Sequence, residues 1–226
     1  MTPASATATS EAVQDYAKAI YSLEARLGDS VPTSALAARI GVSAASASAM
    51  VRRLAEQGLV AHVPYRGVEL TDRGREVALE VLRHHRLLEL YLATYLDVPW
   101  DRVHQEAETL EHVISEDLEA RIAAKLHNPT RDPHGDPIPS RELAIDDPLT
   151  QSLDSLDPGA AGRFVRVSDS DPEMLRYLEE RGIGIGDRLE VVDRQPFDGP
   201  ITVRFGRAEH VLGGALARAM RVEITG

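Results

Sequence analysis

Residues 38–60 read ARIGVSAASASAMVRRLAEQGLV, and the punctuation of this stretch decides the fold. A short helical pattern begins at Pro32-Thr33-Ser34, continues through Leu36, Ala37 and Ile40, and closes at Gly41. Glycine takes the left-handed conformation that ends a helix at little steric cost. Ser43 then offers a side-chain oxygen to cap a second helix, expected over 44–57 and stopped by Gly58. Two short helices about a tight glycine turn form a helix-turn-helix unit. Residues 59–71, LVAHVPYRGVELT, follow as two short strands around a Tyr-Arg-Gly turn, which makes a wing. Upstream, Ala12, Tyr16, Ile20 and Leu23 recur at helical spacing from Glu11 to about Ala25. Residues 1–10 are rich in Ala, Ser and Thr and are expected to form a disordered tail.

The second helix of this unit starts with unusually small side chains. Ser43, Ala44, Ala45, Ser46, Ser48 and Ala49 would let a helix backbone sit deep in a major groove, with the hydroxyls reaching phosphates or base edges. Arg52 and Arg53 follow a turn later as phosphate contacts, Thr33 and Ser34 precede on the first helix, and Tyr65 and Arg66 lie in the wing. The first exposed positions hold no Arg, Asn or Gln, so few bidentate base contacts are expected. Specificity would lean on methyl contacts and DNA shape. The competing reading is an Ala-rich three-helix bundle with no DNA role.

Charge distribution is compatible with the first reading, although the net acidity weakens non-specific attraction to DNA. The chain of 226 residues carries a formal net charge of −11. Residues 1–75 hold 8 basic and 7 acidic residues, a balance of +1, against 17 and 29 in the remainder. The acidity thus lies outside the segment assigned to DNA. There are no cysteines, which excludes disulfides, thiolate ligands and thiol nucleophiles. No apolar run approaches a membrane span, and the N-terminus lacks the pattern of a signal peptide. A cytoplasmic location is expected.

Two long amphipathic helices are expected next, from Thr71-Asp72 to about Leu96 and from Asp101 to Leu126, able to serve as a dimer interface. The second opens with His-Gln-Glu-Ala-Glu-Thr-Leu-Glu-His at 104–112. At about 100° per residue, His104, Glu108, Glu111 and His112 share one helical face. Crowded carboxylates repel one another, and a cation relieves that repulsion. Oxygen and imidazole donors without sulfur suit Mn(II) or Fe(II). His85 and Glu89 repeat the i, i+4 spacing one helix earlier. Residues 128–160 are rich in Pro, Asp, Gly and Ser and read mostly as loop and linker.

From Arg163 the pattern changes to short strands at 163–167, 188–193, 200–205 and 219–224, with one helix over 171–180 and a hairpin turn at Asp198-Gly199. This suggests a compact barrel. The glycine run at 182–186 precedes a strand, so phosphate would meet no helix N-terminus there.

These stretches together resemble the diphtheria toxin repressor family of metal-dependent regulators, and most of all its manganese-responsive branch. The resemblance is carried by YAKAIYSLE at 16–24, residues 38–60, RHHRLLE at 83–89, VHQEAETLEHVISEDLEARI at 103–122, DPHGDPIP at 132–139 and SDSDPEMLRYLEERGIGIGD at 168–187. It implies a mainly α fold with a small β part. The expected domains are a winged helix at 11–74, a helical dimerisation and metal-binding domain at 75–140, a linker at 141–160 and an SH3-like β-barrel at 161–226.

By the same resemblance a primary metal site falls on Asp15, Glu108, Glu111 and His112. An ancillary site falls on His85, Glu89 and His104, completed by Asp171 and by Glu173 or Met174. Short manganese sensors place a glutamate three residues after the aspartate at 15, whereas this chain has Lys18. Two separate one-ion sites per subunit are therefore expected. The implied function is a homodimeric repressor that binds palindromic double-stranded DNA when Mn(II), or alternatively Fe(II), is bound. A carboxylate-rich metal-dependent hydrolase and a purely structural metal site are the rival classes. The hydrolase is disfavoured by the lack of an obvious substrate cleft or extra general base.

Overall fold

The computed structural model of the chain describes residues 10–63, 66–197 and 199–224. They fall into two compact units. The first takes in the chain up to His84 together with Glu111–Ile114 and Pro139–Ala144; the second holds His85–Leu110, Ser115–Ile138 and the chain from Ile145 onward.

In the first unit, helix α1 (Glu11–Leu27) turns Val13, Tyr16, Ala17, Ile20 and Leu23 inward. They pack with Leu36 of α2 (Thr33–Ile40) and with Val51 and Leu54 of α3 (Ala44–Glu56). Gly41 ends α2 at φ 77°, its N–H donating to Ala37 O, and Ser43 caps α3 by accepting from the Ser46 N–H. Both terminators act as their residue types suggest. The wing is an antiparallel pair, β1 (Val60–Val63) and β2 (Gly67–Leu70), with Val63 opposite Gly67. The wing-turn contact expected at Tyr65 lies outside the described residues. Helix α4 (Asp72–Leu96) runs for 25 residues, close to the expected span, and passes from the first unit into the second at His84.

The helix expected over 101–126 is instead two helices, α5 (Val103–Leu110) and α6 (Glu116–Lys125). Ser115 starts the second by accepting from the Leu118 N–H, and Glu116, Asp117 and Glu119 occupy its first turn, where carboxylates favour a helix start. Glu111 and His112 consequently sit in the turn after α5 and belong to the first unit.

The rest of the second unit is built on a six-stranded antiparallel sheet. Its strands are β3 (Gln151–Ser152), β4 (Ala161–Val167), β5 (Arg188–Arg194), β6 (Ile201–Phe205), β7 (Ala208–Leu212) and β8 (Met220–Ile224), in the order β3-β8-β4-β5-β6-β7. Helices α7 (Pro172–Glu179) and α8 (Gly214–Ala219) supply Leu175, Leu178, Leu216 and Ala217 to a core shared with Phe164, Val191, Val203, Leu212 and Met220. The expected barrel is not closed among the described residues, since β3 and β7 remain as edges. β7, α8 and the two-residue β3 escaped the sequence reading. The turn at Asp198 lies outside the described residues, but β5 and β6 pair as a hairpin, with Arg194 opposite Ile201.

Gly67 shows why the wing needs a glycine. Its φ is 130°, and a Cβ there would lie 1.9 Å from Val31 O, an atom that accepts the Val68 N–H at 3.0 Å. Gly67→Ala is expected to cost at least about 1–3 kcal/mol, the range for a residue forced into a sparsely populated conformation. Urea denaturation would measure it, and an unchanged midpoint would contradict this account of the wing.

Candidate metal centres and nucleic-acid interface

The first unit gathers Asp15, Glu111 and His112. His112 Nε2 lies 2.9 Å from Asp15 Oδ1 and 3.5 Å from Glu111 Oε1. On the other side of the ring, His112 Nδ1 donates to Gln14 Oε1 at 2.7 Å. That bond fixes the imidazole and leaves Nε2 facing two carboxylates, the orientation that outer partners give a metal-ligating histidine. The Glu111 side chain is fully buried, its Oε1 is 2.5 Å from Lys18 Nζ, and its backbone carbonyl lies 3.2 Å from His84 Nδ1. Two carboxylates and one imidazole, with no sulfur, fit a divalent ion of the Mn(II) or Fe(II) kind. Helix α1 supplies Gln14, Asp15 and Lys18, and the turn after α5 supplies Glu111 and His112. The fourth residue expected here, Glu108, belongs to the second unit, where its Oε1 lies 3.6 Å from His104 Nε2.

The second unit gathers His85, Glu89, His104 and Asp169, with one ligand atom from each lying within 4.8 Å of all the others. His85 Nε2 is 3.0 Å from Glu89 Oε1 and 3.1 Å from His104 Nδ1, which in turn is 2.9 Å from Asp169 Oδ2. Separations near 3 Å are those of neighbouring ligands around an ion with bonds of about 2.1 Å. Glu89 is 1% exposed. Burial pushes its carboxyl up, but hydrogen bonds from His104, His134 and His85 more than reverse this and hold it well below the usual carboxylate range. Asp169, followed by Glu89, pushes His104 up to about 10. The set fits a divalent ion for the same reason as the first, with two imidazoles beside two carboxylates.

This second cluster differs from the expected ligand set in the residue it brings beside His104. Asp171 is not beside His104; it caps α7, accepting the Glu173 N–H at 3.0 Å. Glu173 is exposed, and Met174 packs against the core of the sheet. Asp169, two positions earlier, lies beside His104 instead. The signal was available, since Asp171-Pro172 is an N-cap followed by proline at the first helical position, and a capping carboxylate is already committed.

His134 and Asp132 were also missed, because residues 132–139 read as linker. His134 is fully buried, its Nε2 donating to Trp100 O at 2.7 Å and its Nδ1 lying 3.7 Å from Glu89 Oε2. Burial lowers His134, but Glu89 outweighs it and raises the imidazole to about 9. Asp132 Oδ1 accepts from the N–H groups of His134 and Asp136 at 2.8 and 2.9 Å, which folds the loop into its shape. Gly135 has φ 86°, and a Cβ there would lie 1.9 Å from Val165 O.

On the first unit, Ser43, Ala44, Ala45, Ser46, Ser48, Ala49, Arg52 and Arg53 are all exposed, while Ala47, Val51 and Leu54 face the core. Ser34 is exposed and Thr33 half-buried. Arg66 of the wing bonds to Asp29 Oδ1 at 3.2 Å, which offsets its charge. No single helix among the described residues is long and apolar enough to cross a membrane.

Comparison with known proteins finds matches along nearly the whole chain. Residues 8–68 match the iron dependent repressor N-terminal DNA binding domain, residues 71–140 its metal binding and dimerisation domain, and residues 151–224 the FeoA domain. The iron-dependent repressor IdeR of Mycobacterium leprae is 40% identical over 92% of this chain and 95% of its own length. The chain belongs to the iron-dependent repressor family. Its members are metal-dependent transcriptional repressors and not enzymes. The diphtheria toxin repressor of Corynebacterium glutamicum is 32% identical over 92% of this chain and 94% of its own. Among solved structures, a manganese-dependent transcriptional repressor in complex with manganese is 46% identical with a TM-score of 0.89, covering 94% of this chain and all of its own. The manganese regulator SloR is 30% identical with a TM-score of 0.79, covering 94% and 98%.

The family member thus carries a DNA-binding segment, a dimerisation segment and donor sets suited to divalent metal. Two outcomes follow from the second cluster. Asp169→Asn should weaken one class of Mn(II) site at least about tenfold in equilibrium dialysis, or roughly 1.4 kcal/mol. Asp171→Asn should leave that affinity alone, and the reverse pattern would restore Asp171 as the ligand. In EDTA, pH should act through His104 and His134. Both imidazoles are raised from 6.5, to about 10 and about 9, so their contribution to stability is complete below pH 6.5. It fades as pH rises through those raised values. The thermal midpoint in EDTA should fall across this window, and less steeply in His104→Ala. Parallel profiles for the two proteins would contradict the assignment.

Proposed function

We propose that this repressor is a homodimer that binds a palindromic operator when Mn(II) occupies two separate centres in each subunit. The observation that carries the reading is the donor set of the first centre: Asp15 and Glu111 carboxylates with the His112 imidazole, in a chain with no cysteine. Oxygen and imidazole donors accept Mn(II), whereas thiolate or thioether would favour softer ions. The 46% identical solved relative described as manganese-dependent supports the same ion. Fe(II) is the second reading, favoured by the name of the 33–40% identical iron-dependent repressors IdeR among the sequence relatives.

An ion held by Asp15, Glu111 and His112 ties α1 to the turn after α5. Helices α2 and α3 pack on α1 through Ile20, Leu36, Val51 and Leu54, so the ion joins the DNA-reading helices to the dimerisation segment. In a two-fold dimer this link sets the spacing of the two copies of α3, and a palindrome accepts only a spacing near 34 Å or its multiples. The metal acts as an effector because its affinity differs between the two spacings. The second centre, on His85, Glu89, His104 and Asp169, joins α4 and α5 to the segment between β4 and α7. Lys18, where a two-ion cluster would need a further anion, supports one ion in the first centre. The reading places the protein in the cytoplasm, beside the DNA it regulates.

Chelation should weaken operator binding at least about tenfold. His112→Ala should do the same in saturating Mn(II), while a gel shift indifferent to EDTA would sink the proposal. Mn(II) binds more weakly than Fe(II) to a given site, so selectivity should show in activation of DNA binding and not in tightness of metal binding. An operator response at lower free anaerobic Fe(II) than Mn(II) would select the iron reading.

A further inference from the structure

Lys18 is the one cation at the first centre supplied by a lysine or arginine among the described contacts. The chain holds 25 lysines and arginines, and only Lys18 and Lys125 are lysines. Arginine is this protein's ordinary cation, so a lysine at position 18 departs from its own habit. The difference has chemical content. A guanidinium is a broad planar fork, while an ammonium is a compact point charge on a flexible four-carbon stem. Only the ammonium resembles a small metal ion in size and in the direction-free way it meets oxygen.

Its placement follows the same logic. Lys18 lies one helical turn after Asp15 on α1, so both side chains rise from one face. Its Nζ is 2.5 Å from Glu111 Oε1, and that same oxygen is the one 3.5 Å from His112 Nε2. The ammonium therefore holds the carboxylate oxygen that turns toward the imidazole donor. Glu111 is fully buried at its side chain, whereas Lys18 keeps 14% exposure and a path to solvent. A divalent ion bonded to that oxygen and an ammonium touching it repel each other, and the tethered cation is the one that can withdraw.

We propose that Lys18 is a tethered competitor for the first metal centre, holding Glu111 until a divalent ion displaces it and so setting the concentration at which the ion enters. This rests on the reading of Asp15, Glu111 and His112 as that centre. The competition raises the apparent dissociation constant by the reciprocal of the fraction of time that the ion pair is open. A pair closed about nine-tenths of the time raises it about tenfold. The same pair satisfies the buried Glu111 carboxylate when no ion does.

Equilibrium dialysis with Mn(II) tests this in the full chain carrying His104→Ala, which leaves the first centre to be read alone. Adding Lys18→Met should tighten Mn(II) binding at least about tenfold. It should also lower the thermal midpoint in EDTA, because the buried Glu111 loses the ammonium that pairs with it. Unchanged or weaker binding overturns the proposal. No Mn(II) bound by either protein overturns the centre itself, and the proposal with it. A second measurement needs no substitution. Lysine labelled with ¹⁵N at Nζ gives signals from only two residues, and diamagnetic Cd(II) can be titrated against them. The Lys18 ammonium signal should shift or vanish in proportion to Cd(II) bound at the first centre, with Lys125 unmoved. A Lys18 signal indifferent to bound Cd(II) overturns the competition whatever the dialysis shows.

Discussion

A carboxylate removed from water must meet positive charge or donors, and among the described residues Glu89 and Glu111 are the most deeply buried carboxylates, each at 1% exposure. Much of the architecture answers that demand. Glu89 is met by His85 at i, i+4 on the same helix, by His104 from α5, and by His134 from the loop after α6. Glu111 is met by Lys18 from α1 and by the neighbouring His112. Outer contacts fix two of these imidazoles, through Gln14 Oε1 for His112 and the Trp100 carbonyl for His134. Rings held in this way present nitrogen to carboxylate at fixed distance, so a divalent ion entering there would meet donors already assembled.

The DNA-reading face follows a different economy. The exposed positions in the first turns of α3 are serine and alanine, so on the proposed reading close approach does what long polar side chains do elsewhere. With Arg66 paired to Asp29, Arg52 and Arg53 are the cations that α3 itself presents. A net charge of −11 adds little general attraction to the phosphate backbone. Binding must therefore come from a well-placed local surface. On the proposed reading, the position of α3 in a dimer, and an ion that would tie α1 to the turn after α5, matter more than they would in a strongly basic protein.

The sequence by itself determined what local chemistry controls. Gly41 and Ser43 ended one helix and began the next because a left-handed cap and a side-chain oxygen act within a few residues. The i, i+4 spacing of His85 and Glu89 was legible for the same reason, as was the resemblance carried by residues 103–122. The tertiary structure decided what depends on distant segments. Helical periodicity placed His104 and His112 on one face, but Ser115 started a new helix and left Glu111 and His112 in a turn, Glu111 meeting Lys18 across 93 residues of chain and His112 meeting Asp15. Asp169 and Asp171 are equivalent as carboxylates, and only the cap on α7 distinguishes them. His134 read as part of a linker because composition reports flexibility, whereas Asp132 holds that loop in shape through two backbone N–H groups. Pattern along a chain reveals which donors are available. Which of them meet is fixed by hydrogen bonds and packing between segments, and those carry no signature at either partner alone.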